Sequence, residues 1–524
     1  MWAGSRYLVQ AFISLLHKDL RLLRDPVGTI RKFLQEFQMV LNCHRERAFL
    51  LRTQRHLTSW LPIAVPFKSW LLLPPPMGFP PAVAGPLGLF PFFFKFYDML
   101  GGFVSPPSHI MTPSRARRKF PQLAYKDIKY CSVFYEGLHD DARTNLAIAQ
   151  SAAAEGALML NYMDVATLLR DAKGRVIGAE LRDAAQEGGV AHRIYAKTTL
   201  LCGGPFTDTL RWLENPAAKK VVNGASGIHI VLPAYATPRG IGLVDMETSD
   251  GRFLFYLPWQ GHTLIGTTDT RCERPTMNPR PAESEIVWLL QEARKYLSKD
   301  LLLRREDVLS AWCGVRPLAA DPHANGGSGS RDHVISHNPV TDTVFVAGGK
   351  WTTYREMAQE AVDKVVSIGV FENRRLRKCS TLSKQLYGAA GYSANLSIRL
   401  IQEYNIDSEV AMRLAQAYGG RAHEVLRVAS ERAGGLQRIA SGFPYIEAEV
   451  RYGIRFEWAE KPADVLARRT RLAFLNRDAA VGALPRVLQI FQEELGWTEE
   501  TARVEKKLFF EFIDQFGGPV PQKD

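Results

Sequence analysis

The spacing of apolar residues changes near residue 380. Between about 129 and 347, short apolar runs alternate with amphipathic helical stretches, which is typical of an α/β sheet with an antiparallel excursion. From about 380 onward, stretches such as RLIQEYNIDSEVAMRLAQAYG have only helical spacing. A chain of 524 residues is long enough for two or three domains. The sequence therefore predicts an α/β (α+β) part followed by an all-helical domain over about 380–515.

The α/β part contains two kinds of predicted strand. LMLNYMDV, residues 158–165, is predicted as a strand, and VATLLRD and RVIGAELRD are predicted as a hairpin after it. From about 220 to 345 the apolar runs IHIVLP, FLFYLPW and TVFVAGG surround a helix near 283–298. We expect this second region to be a mostly antiparallel sheet with one face buried, suited to a substrate domain.

The segment Trp60–Phe103 is unusually apolar. Its only charges are Lys68, Lys95 and Asp98. It is long enough to span a bilayer, but its many prolines remove backbone donors and interrupt any continuous helix. Two interpretations stay open: a hairpin that dips into one leaflet, or a proline-rich loop folded against the protein's own core. In the first, the aromatic residues near the lipid headgroups are Trp60, Phe67, Trp70 and Tyr97.

The chain is basic overall, with a net charge of +12. Such a charge suits an anionic partner, such as a phosphorylated metabolite or an acidic lipid surface. The basic residues are spread along the chain, so nucleic acid is the least favoured partner. The six cysteines form no C-x-x-C pair and no zinc-ligand spacing, which predicts reduced thiols, no metal and a non-secreted protein. The first residues lack the features of a secretory signal and do not indicate a location.

A glycine pair connects a strand to a helix in VFVAGGKWTTYREMAQEAV, residues 344–362. Gly348 and Gly349 allow close approach of the backbone to a ligand, and the free N–H groups of a helix that begins near Thr352 or Thr353 favour negative charge. In a flavoprotein this geometry suits the edge of the isoalloxazine ring. The alternative is a purely structural turn.

Three cations of the predicted substrate domain could converge on one dianionic group. Arg316 follows an apolar run, Arg331 lies in SGSRDHVISH, and Lys350 follows the glycine pair. Arginine gives bidentate contacts to phosphate and lysine gives a point charge. Each of the three is otherwise a solvated surface charge, and Arg316 fits that alternative least well because Val315 and Pro317 flank it.

A histidine and a polar turn complete the candidate residues. His229 lies between two isoleucines in IHIVLP and is either a core residue or the group that accepts a hydroxyl proton as a hydride leaves a carbinol carbon. Thr267, Thr268 and Asp269 in TLIGTTDT form either a ligand-positioning group or a simple strand end.

Several blocks together resemble a known family. GIHIVLP, AWCGVRPL, SRDHVI, VAGGKWTTYREMA and RRTRLAFLN occur here in that order and are similar to the FAD-dependent glycerol-3-phosphate dehydrogenases, especially the mitochondrial form. The resemblance extends, with gaps, from about Arg6 to about Trp497. It implies oxidation of sn-glycerol 3-phosphate to dihydroxyacetone phosphate by hydride transfer to FAD, with electrons passed to ubiquinone. It also implies a membrane-surface (monotopic) protein of the mitochondrial inner membrane, and it allows a homodimer.

The resemblance assigns roles to single residues. It implies that His229 and Arg316 are catalytic, as base and as phosphate ligand. The substrate contacts that it implies are Arg6, Tyr7, Thr267, Thr268, Arg316, Arg331 and Lys350. The cofactor contacts that it implies are Val165, Gly204, Gly348, Gly349, Lys350 and Thr352.

One element of that family has no counterpart in this sequence. The family begins with a strand, a G-x-G-x-x-G turn and a helix that bind the ADP half of FAD, and no such motif follows a strand here. We therefore expect residues 1–375 to form an incomplete Rossmann-type FAD-binding domain, in a truncated chain that binds FAD weakly or not at all. Two alternatives to the dehydrogenase stay open: an FAD-deficient remnant without catalysis, and a related flavin oxidase that uses oxygen.

Overall fold

The structure covers most of the chain. A computed structural model describes Gly4, Leu8 and residues 25–67, 89–122, 128–185, 189–238, 240–245, 248–250, 253–320, 329–330, 333–371 and 375–518. The predicted residues outside these ranges are Arg6, Tyr7, Lys68, Trp70 and Arg331.

The described residues form helices and strands in alternation, with helices alone at the C-terminal end. The helices are α1 (Pro26–Thr53), α2 (Leu89–Leu100), α3 (Pro113–Lys119), α4 (Asp141–Ala154), α5 (Thr207–Glu214), α6 (Glu283–Tyr296), α7 (Tyr354–Ser367), α8 (Leu396–Tyr404), α9 (Ser408–Tyr418), α10 (Ala422–Ser430), α11 (Glu447–Phe456), α12 (Leu472–Leu475), α13 (Arg477–Leu495) and α14 (Glu499–Ile513). The strands are β1 (Thr58–Phe67), β2 (His109–Met111), β3 (Tyr130–His139), β4 (Met163–Arg170), β5 (Val176–Asp183), β6 (Ala191–Tyr195), β7 (Thr199–Leu201), β8 (Val222–Pro233), β9 (Gly242–Asp245), β10 (Leu254–Trp259), β11 (His262–Gly266), β12 (Thr270–Cys272), β13 (Ser310–Ala320), β14 (Gly329–Ser330), β15 (His333–Asn338) and β16 (Thr343–Gly348).

Ten of these strands form one large sheet. Its order is β14–β13–β8–β11–β10–β9–β1–β3–β2, with β12 also paired to β8. The strands from β8 to β13 pair antiparallel with their neighbours, and only β1 and β9 are parallel. The antiparallel sheet predicted from the apolar runs is therefore confirmed for IHIVLP and FLFYLPW, and the helix predicted near 283–298 is α6, but TVFVAGG lies in a separate, smaller sheet as β16.

The two faces of β8 are buried differently. Ile228, Ile230 and Leu232 are fully buried in a core that includes α6. Because successive side chains of a strand point to opposite faces, His229 and Val231 lie on the other face. Val231 packs there in a second core that is formed mainly by α11 to α14 of the helical domain. The large sheet is thus sandwiched between α6 and the C-terminal helices.

The apolar segment Trp60–Phe103 is divided between a strand and a helix. Residues 60–67 belong to β1, which pairs with β3 over ten residues, and residues 89–100 form α2. Phe67 and Tyr97 are 5% and 1% exposed in a core shared by α1, α2, β1 and β3. The placement of these two aromatic residues near lipid headgroups is therefore wrong, because they fill the protein's own interior. No described helix combines the length and the apolar composition needed to cross a membrane.

Two three-stranded sheets complete the α/β part. One is the antiparallel sheet β4–β5–β6, which contains the predicted hairpin. The other has the order β15–β16–β7, and β7 runs parallel to β16. The strand predicted over 158–165 begins only at Met163, and Leu158 is 82% exposed. Leu158 and Leu160 therefore lie outside the sheet.

The helical domain docks on the α/β part through buried charges. Arg143 of α4 donates to both carboxylate oxygens of Glu457, at 2.8 and 2.7 Å, and its guanidinium lies 4.2 Å from the centre of the Tyr418 ring. Arg471, just before α12, donates to Asp140 at 2.9 Å. Asp140 is also the N-cap of α4. These contacts fix the C-terminal helices against the large sheet.

Candidate active site

The glycine pair forms a tight turn between β16 and a helix. Gly348 and Gly349 have φ angles of 74° and 89°, a region that side chains with a Cβ atom rarely adopt. A Cβ atom on Gly349 would lie 2.3 Å from Met357 Cε, so the turn also has no room for one. A 3₁₀ turn over Trp351–Thr353 follows and continues into α7. The predicted strand–turn–helix is therefore confirmed.

A cavity of about 730 Å³ lies beside this turn. Its wall consists mostly of α1 side chains, together with His333, Lys350, Thr353 and Glu356. Lys350 points its ammonium group toward α1, where it donates to Cys43 Sγ at 3.8 Å. Burial raises the pKa of the Cys43 thiol, and the charge of Lys350 opposes that shift. The cavity is thus an apolar groove with a cation at its base.

Arg316 is held by the turn that follows β11. Its guanidinium donates to Thr267 Oγ1 at 2.7 Å and to Asp269 Oδ1 at 3.3 Å. Thr268 Oγ1 accepts a hydrogen bond from the backbone N–H of Ile228 at 2.9 Å, which ties the same turn to β8. The side chains of Arg316 and Asp269 are 25% and 37% exposed, so this ion pair reaches solvent.

His229 lies on the same face of the sheet as Arg316. Across the sheet it is paired with Gly266 of β11 on one side and with Trp312 of β13 on the other. A Cβ atom on Gly266 would be 2.3 Å from His229 Cδ2, so the glycine makes room for the imidazole. Burial, and secondarily the charge of Arg316, lowers the pKa of His229 to about 4. The imidazole is therefore neutral at pH 7 and able to accept a proton.

Two facing glycines separate the histidine from the arginine. Gly227 of β8 is paired with Gly314 of β13. A Cβ atom on Gly227 would lie 2.5 Å from Arg316 Nη2, whereas one on Gly314 would meet nothing within 4 Å. The guanidinium thus lies above Gly227, two residues or roughly 6.6 Å along the strand from His229. Gly227 lies beneath the guanidinium and Gly314 is exposed, so the two glycines form the floor of a small depression that is open above Gly314, with a neutral base at one end and a cation at the other.

The structure brings some of the predicted site residues together. His229, Thr267, Thr268 and Arg316 form one group on the large sheet. Lys350 lies at the base of the cavity instead, and His229 and Arg316 are not in the cavity wall. The group on the large sheet and the cavity are adjacent, because β13 packs beside β16.

The other predicted cofactor residues are distributed around β16. Gly204, with φ 54°, begins a 3₁₀ turn after β7 that packs against β13 and β16. Thr352 is buried in the turn that precedes α7. Val165, on β4, is 38% exposed. The ligand contacts assigned to all these residues stay predictions.

The residues around the glycine turn fit one end of a flavin. A cavity of this volume is in the range that holds small ligands and cofactors, and the strained glycine turn allows close approach of a planar ring to the backbone. The sequence supplies no glycine-rich turn for the pyrophosphate. No three histidine, cysteine or acidic side chains of the described residues are grouped to hold a metal ion.

Sequence reasoning missed the residues that shape the depression. Gly227, Gly266 and Gly314 carry no functional group, and Trp312 reads as an ordinary core residue. Their role depends on the strand register, which pairs β8 with β11 and β13. The signal available in the sequence was the placement of AWCG directly before Arg316, and it could not be interpreted without that register.

Comparisons with known proteins identify two family matches along the chain. Residues 90–363 match the family described as FAD dependent oxidoreductase. Residues 379–502 match the family described as the C-terminal domain of alpha-glycerophosphate oxidase. The chain is also similar to the X-ray structure of the glycerol-3-phosphate dehydrogenase from Bacillus halodurans complexed with FAD. That likeness has a TM-score of 0.73 and 27% identity, and it covers 92% of this chain and 87% of that one.

Similar sequences come from animals and plants. The chain is 40% identical over 498 residues to the mitochondrial glycerol-3-phosphate dehydrogenase of Mus musculus, which covers 93% of this chain and 65% of the mouse protein. It is 35% identical over 524 residues to a mitochondrial glycerol-3-phosphate dehydrogenase of Arabidopsis thaliana, covering 96% of this chain and 79% of the plant protein. The chain thus spans about two thirds of the length of its mammalian relatives.

Proposed function

This chain belongs to the FAD-dependent glycerol-3-phosphate dehydrogenase family, and on that premise we propose that it oxidises sn-glycerol 3-phosphate to dihydroxyacetone phosphate. The observation that carries the proposal is the depression floored by Gly227 and Gly314, with Arg316 at one end and His229 at the other. A phosphoester held by the guanidinium would place the neighbouring carbinol over the glycines. Its hydroxyl group would then be within reach of the imidazole.

The reaction removes a hydride from C2 and a proton from its hydroxyl group. Arg316 would hold the phosphate by charge-assisted hydrogen bonds, with Thr267 keeping the guanidinium in place. His229 would accept the hydroxyl proton, which its neutral form allows at pH 7. Fixing both ends of a small substrate supplies much of the effective concentration that the reaction needs.

FAD, when bound, supplies the acceptor of the hydride. The residues that would hold its ring are Gly348, Gly349, Lys350 and Thr352, and Val165 and Gly204 would lie nearer its adenine half. Two electrons leave the substrate in this step, and we propose ubiquinone as their final acceptor.

The first test of the proposal is to purify the chain and read its visible flavin absorbance with and without added FAD. Stoichiometric, tightly held FAD would contradict the expectation of weak binding. Turnover is then measured with sn-glycerol 3-phosphate and a quinone analogue, in parallel with peroxide release. Quinone reduction supports the dehydrogenase, and peroxide release in its place supports the oxidase. Absence of turnover at saturating FAD favours the remnant without catalysis.

A membrane surface, in mitochondria that of the inner membrane, is part of the same proposal. Near the end of α2, Met99, Phe103 and Val104 are at least half exposed. Asp98 accepts hydrogen bonds from the backbone and side chain of Ser108, at 2.9 and 2.6 Å, which folds this loop back toward β2 and α3. The exposed basic residues of α3 are Arg115, Arg117, Arg118 and Lys119. Exposed apolar side chains next to a basic helix are suited to binding at an anionic bilayer surface.

Flotation with vesicles that contain an anionic phospholipid tests this surface. We expect the wild type to float, and a variant with Arg115, Arg117 and Arg118 changed to Glu to remain in solution. The charge-matched control at another surface changes three exposed basic residues of the C-terminal helices, Arg399, Arg503 and Lys507, to Glu. Equal flotation of the triple variant would contradict the assignment. Sedimentation equilibrium on the same preparations tests the homodimer that the resemblance allows.

A further inference from the structure

His229 is held between two neighbouring strands by shape. Its imidazole is nearly parallel to the Trp312 indole, with an angle of 13° between the planes and 5.5 Å between the ring centres. On the other side, Gly266 leaves a gap that a methyl group would close. The ring therefore has an aromatic wall on one side and bare backbone on the other. This slot restricts the orientation of the imidazole.

The aromatic wall is supported by the C-terminal helical domain. Phe474 of α12 meets Trp312 edge-on, at 5.1 Å between the ring centres and 81° between the planes. Trp259 of β10 packs against Trp312 at 5.5 Å, and Arg471 lies 5.5 Å over the ring of Trp259. Trp312 and Phe474 both pack on the core that α11 to α14 share with the sheet. A C-terminal helix thus backs the wall of the histidine slot.

We propose that the C-terminal helical domain positions the base of the active site through the aromatic series Phe474–Trp312–His229. In this arrangement Phe474 and Trp312 are positioning residues, which keep the imidazole plane fixed and exclude water from its outer face. The inference rests on the proposed function only for the role of His229 as the base. The packing itself needs neither substrate nor cofactor.

The charges around His229 give the proposal a measurable consequence. Arg316 faces it from β13, and Asp269 lies behind Arg316 on the turn after β11. From the helical domain, Arg471 lies over the ring of Trp259 and is paired with Asp140. Since burial is the main cause of the lowered pKa of His229, removal of the aromatic cover admits water. The pKa then rises from about 4 toward its ordinary value of about 6.5.

The pKa of His229 can be measured by hydrogen–deuterium exchange at the C2 position of the imidazole. The exchange is followed by mass spectrometry of the peptide that contains His229, in the chain without FAD. In the wild type we expect no titration of His229 between pH 5 and 8. In Phe474→Ala and in Trp312→Leu we expect a titration to appear inside this window. Trp312→Phe, which keeps an aromatic wall, should restore the wild-type profile.

A control variant in the same core distinguishes the proposed role of Phe474 from a general loss of packing. Phe491 is fully buried there and packs against Trp497, away from the histidine slot. Phe491→Leu and Phe474→Leu remove similar volumes from one core. The proposal is overturned if the exchange profile of His229 is the same in Phe474→Ala, Phe474→Leu and wild type, or if Phe491→Leu shifts it equally.

The pH profile of turnover in FAD-loaded protein provides the independent readout. If the enzyme is active, the acid limb of kcat should move to higher pH in Phe474→Ala and in Trp312→Leu and return in Trp312→Phe. Exchange results as expected, without turnover in any variant, would support the positioning role and contradict the proposed function. Turnover with an unshifted His229 profile would contradict the positioning role alone.

Discussion

Arg143 and Arg316 show how two arginines of one chain are given different tasks. Arg143 is 5% exposed, forms two short hydrogen bonds with the carboxylate of Glu457 and lies against the Tyr418 ring. Arg316 is held by the hydroxyl of Thr267, and its carboxylate contact with Asp269 is longer and open to solvent. Both arginines present the same planar guanidinium group, and only the residues that accept its hydrogen bonds differ.

The difference lies in what an incoming anion would have to displace. A phosphate cannot compete with a buried, bidentate carboxylate, because the carboxylate would then lose two short hydrogen bonds in a joint that water does not reach. It can compete with a half-exposed carboxylate that solvent already reaches. The contacts of Arg143 therefore suit the docking of the helical domain, whereas those of Arg316 are compatible with the proposed ligand site. The comparison predicts opposite outcomes for stability and activity.

The largest effect is expected at the domain joint. Arg143→Leu removes both short hydrogen bonds of the buried Glu457 and leaves it the longer contact with Arg469, at 3.3 Å, which should lower the free energy of unfolding by about 3 kcal/mol. Urea unfolding, with limited proteolysis of the connection before α8, measures the loss. Arg399→Leu, which removes an exposed pair with Glu403, should cost less than about 1 kcal/mol. Equal losses in the two variants would break the distinction between a structural arginine and a surface one.

Arg316→Ala should show the reverse pattern. We expect a loss of about 1.5–3 kcal/mol in substrate interaction, roughly tenfold to more than a hundredfold in kcat/KM, with little change in unfolding. The matched control is Arg271→Ala on β12, whose side chain is 81% exposed. Steady-state kinetics of FAD-loaded protein decide the matter. Unchanged kinetics in Arg316→Ala would remove this residue from the phosphate site.

His229 makes a pH-dependent contribution to stability. Its pKa is lowered to about 4 in the folded state from about 6.5 when unfolded, so the unfolded state binds the proton first as pH falls. The stability that depends on neutral His229 is present above pH 6.5 and is lost between 6.5 and 4. From pH 7 to 5 the loss is about 2 kcal/mol. His229→Gln should reduce the acid destabilisation by that amount in urea titrations, whereas Gln in place of the exposed His192 should not.

The smallest effect is expected on the floor of the depression. Gly314→Ala adds a methyl group where nothing lies within 4 Å, so thermal stability should be unchanged. The methyl group occupies ligand space, and we expect KM to rise about fivefold, or about 1 kcal/mol. Gly482→Ala in α13, also with open space around it, should leave KM unaltered. A Gly314→Ala enzyme with unchanged KM would show that the substrate lies elsewhere.

The local patterns of the sequence predicted much of this fold. The alternation in β8, the glycine turn after β16 and the helices beyond residue 380 all follow from spacing alone, because period and turn chemistry are short-range properties. Resemblance supplied the roles of His229 and Arg316. The expectation for Phe67 and Tyr97 failed because composition cannot distinguish an apolar surface from an interior. Pro62 and Pro66 also look incompatible with a central strand, because proline has no backbone N–H to donate. Strand β9 pairs only with Ile63 and Ala64, which lie between the two prolines, so neither proline has to donate to β9.

By itself, the sequence determined which segments are strands or helices, and that a cation and a histidine lie in apolar β runs. Only the tertiary structure decided that Gly227 and Gly314 face each other between Arg316 and His229. It also decided that Lys350 lies in the neighbouring cavity and that Phe474 backs the histidine. The reason is physical: strand register and the docking of the helical domain are long-range choices, set by which buried faces fit together, and no local spacing encodes them.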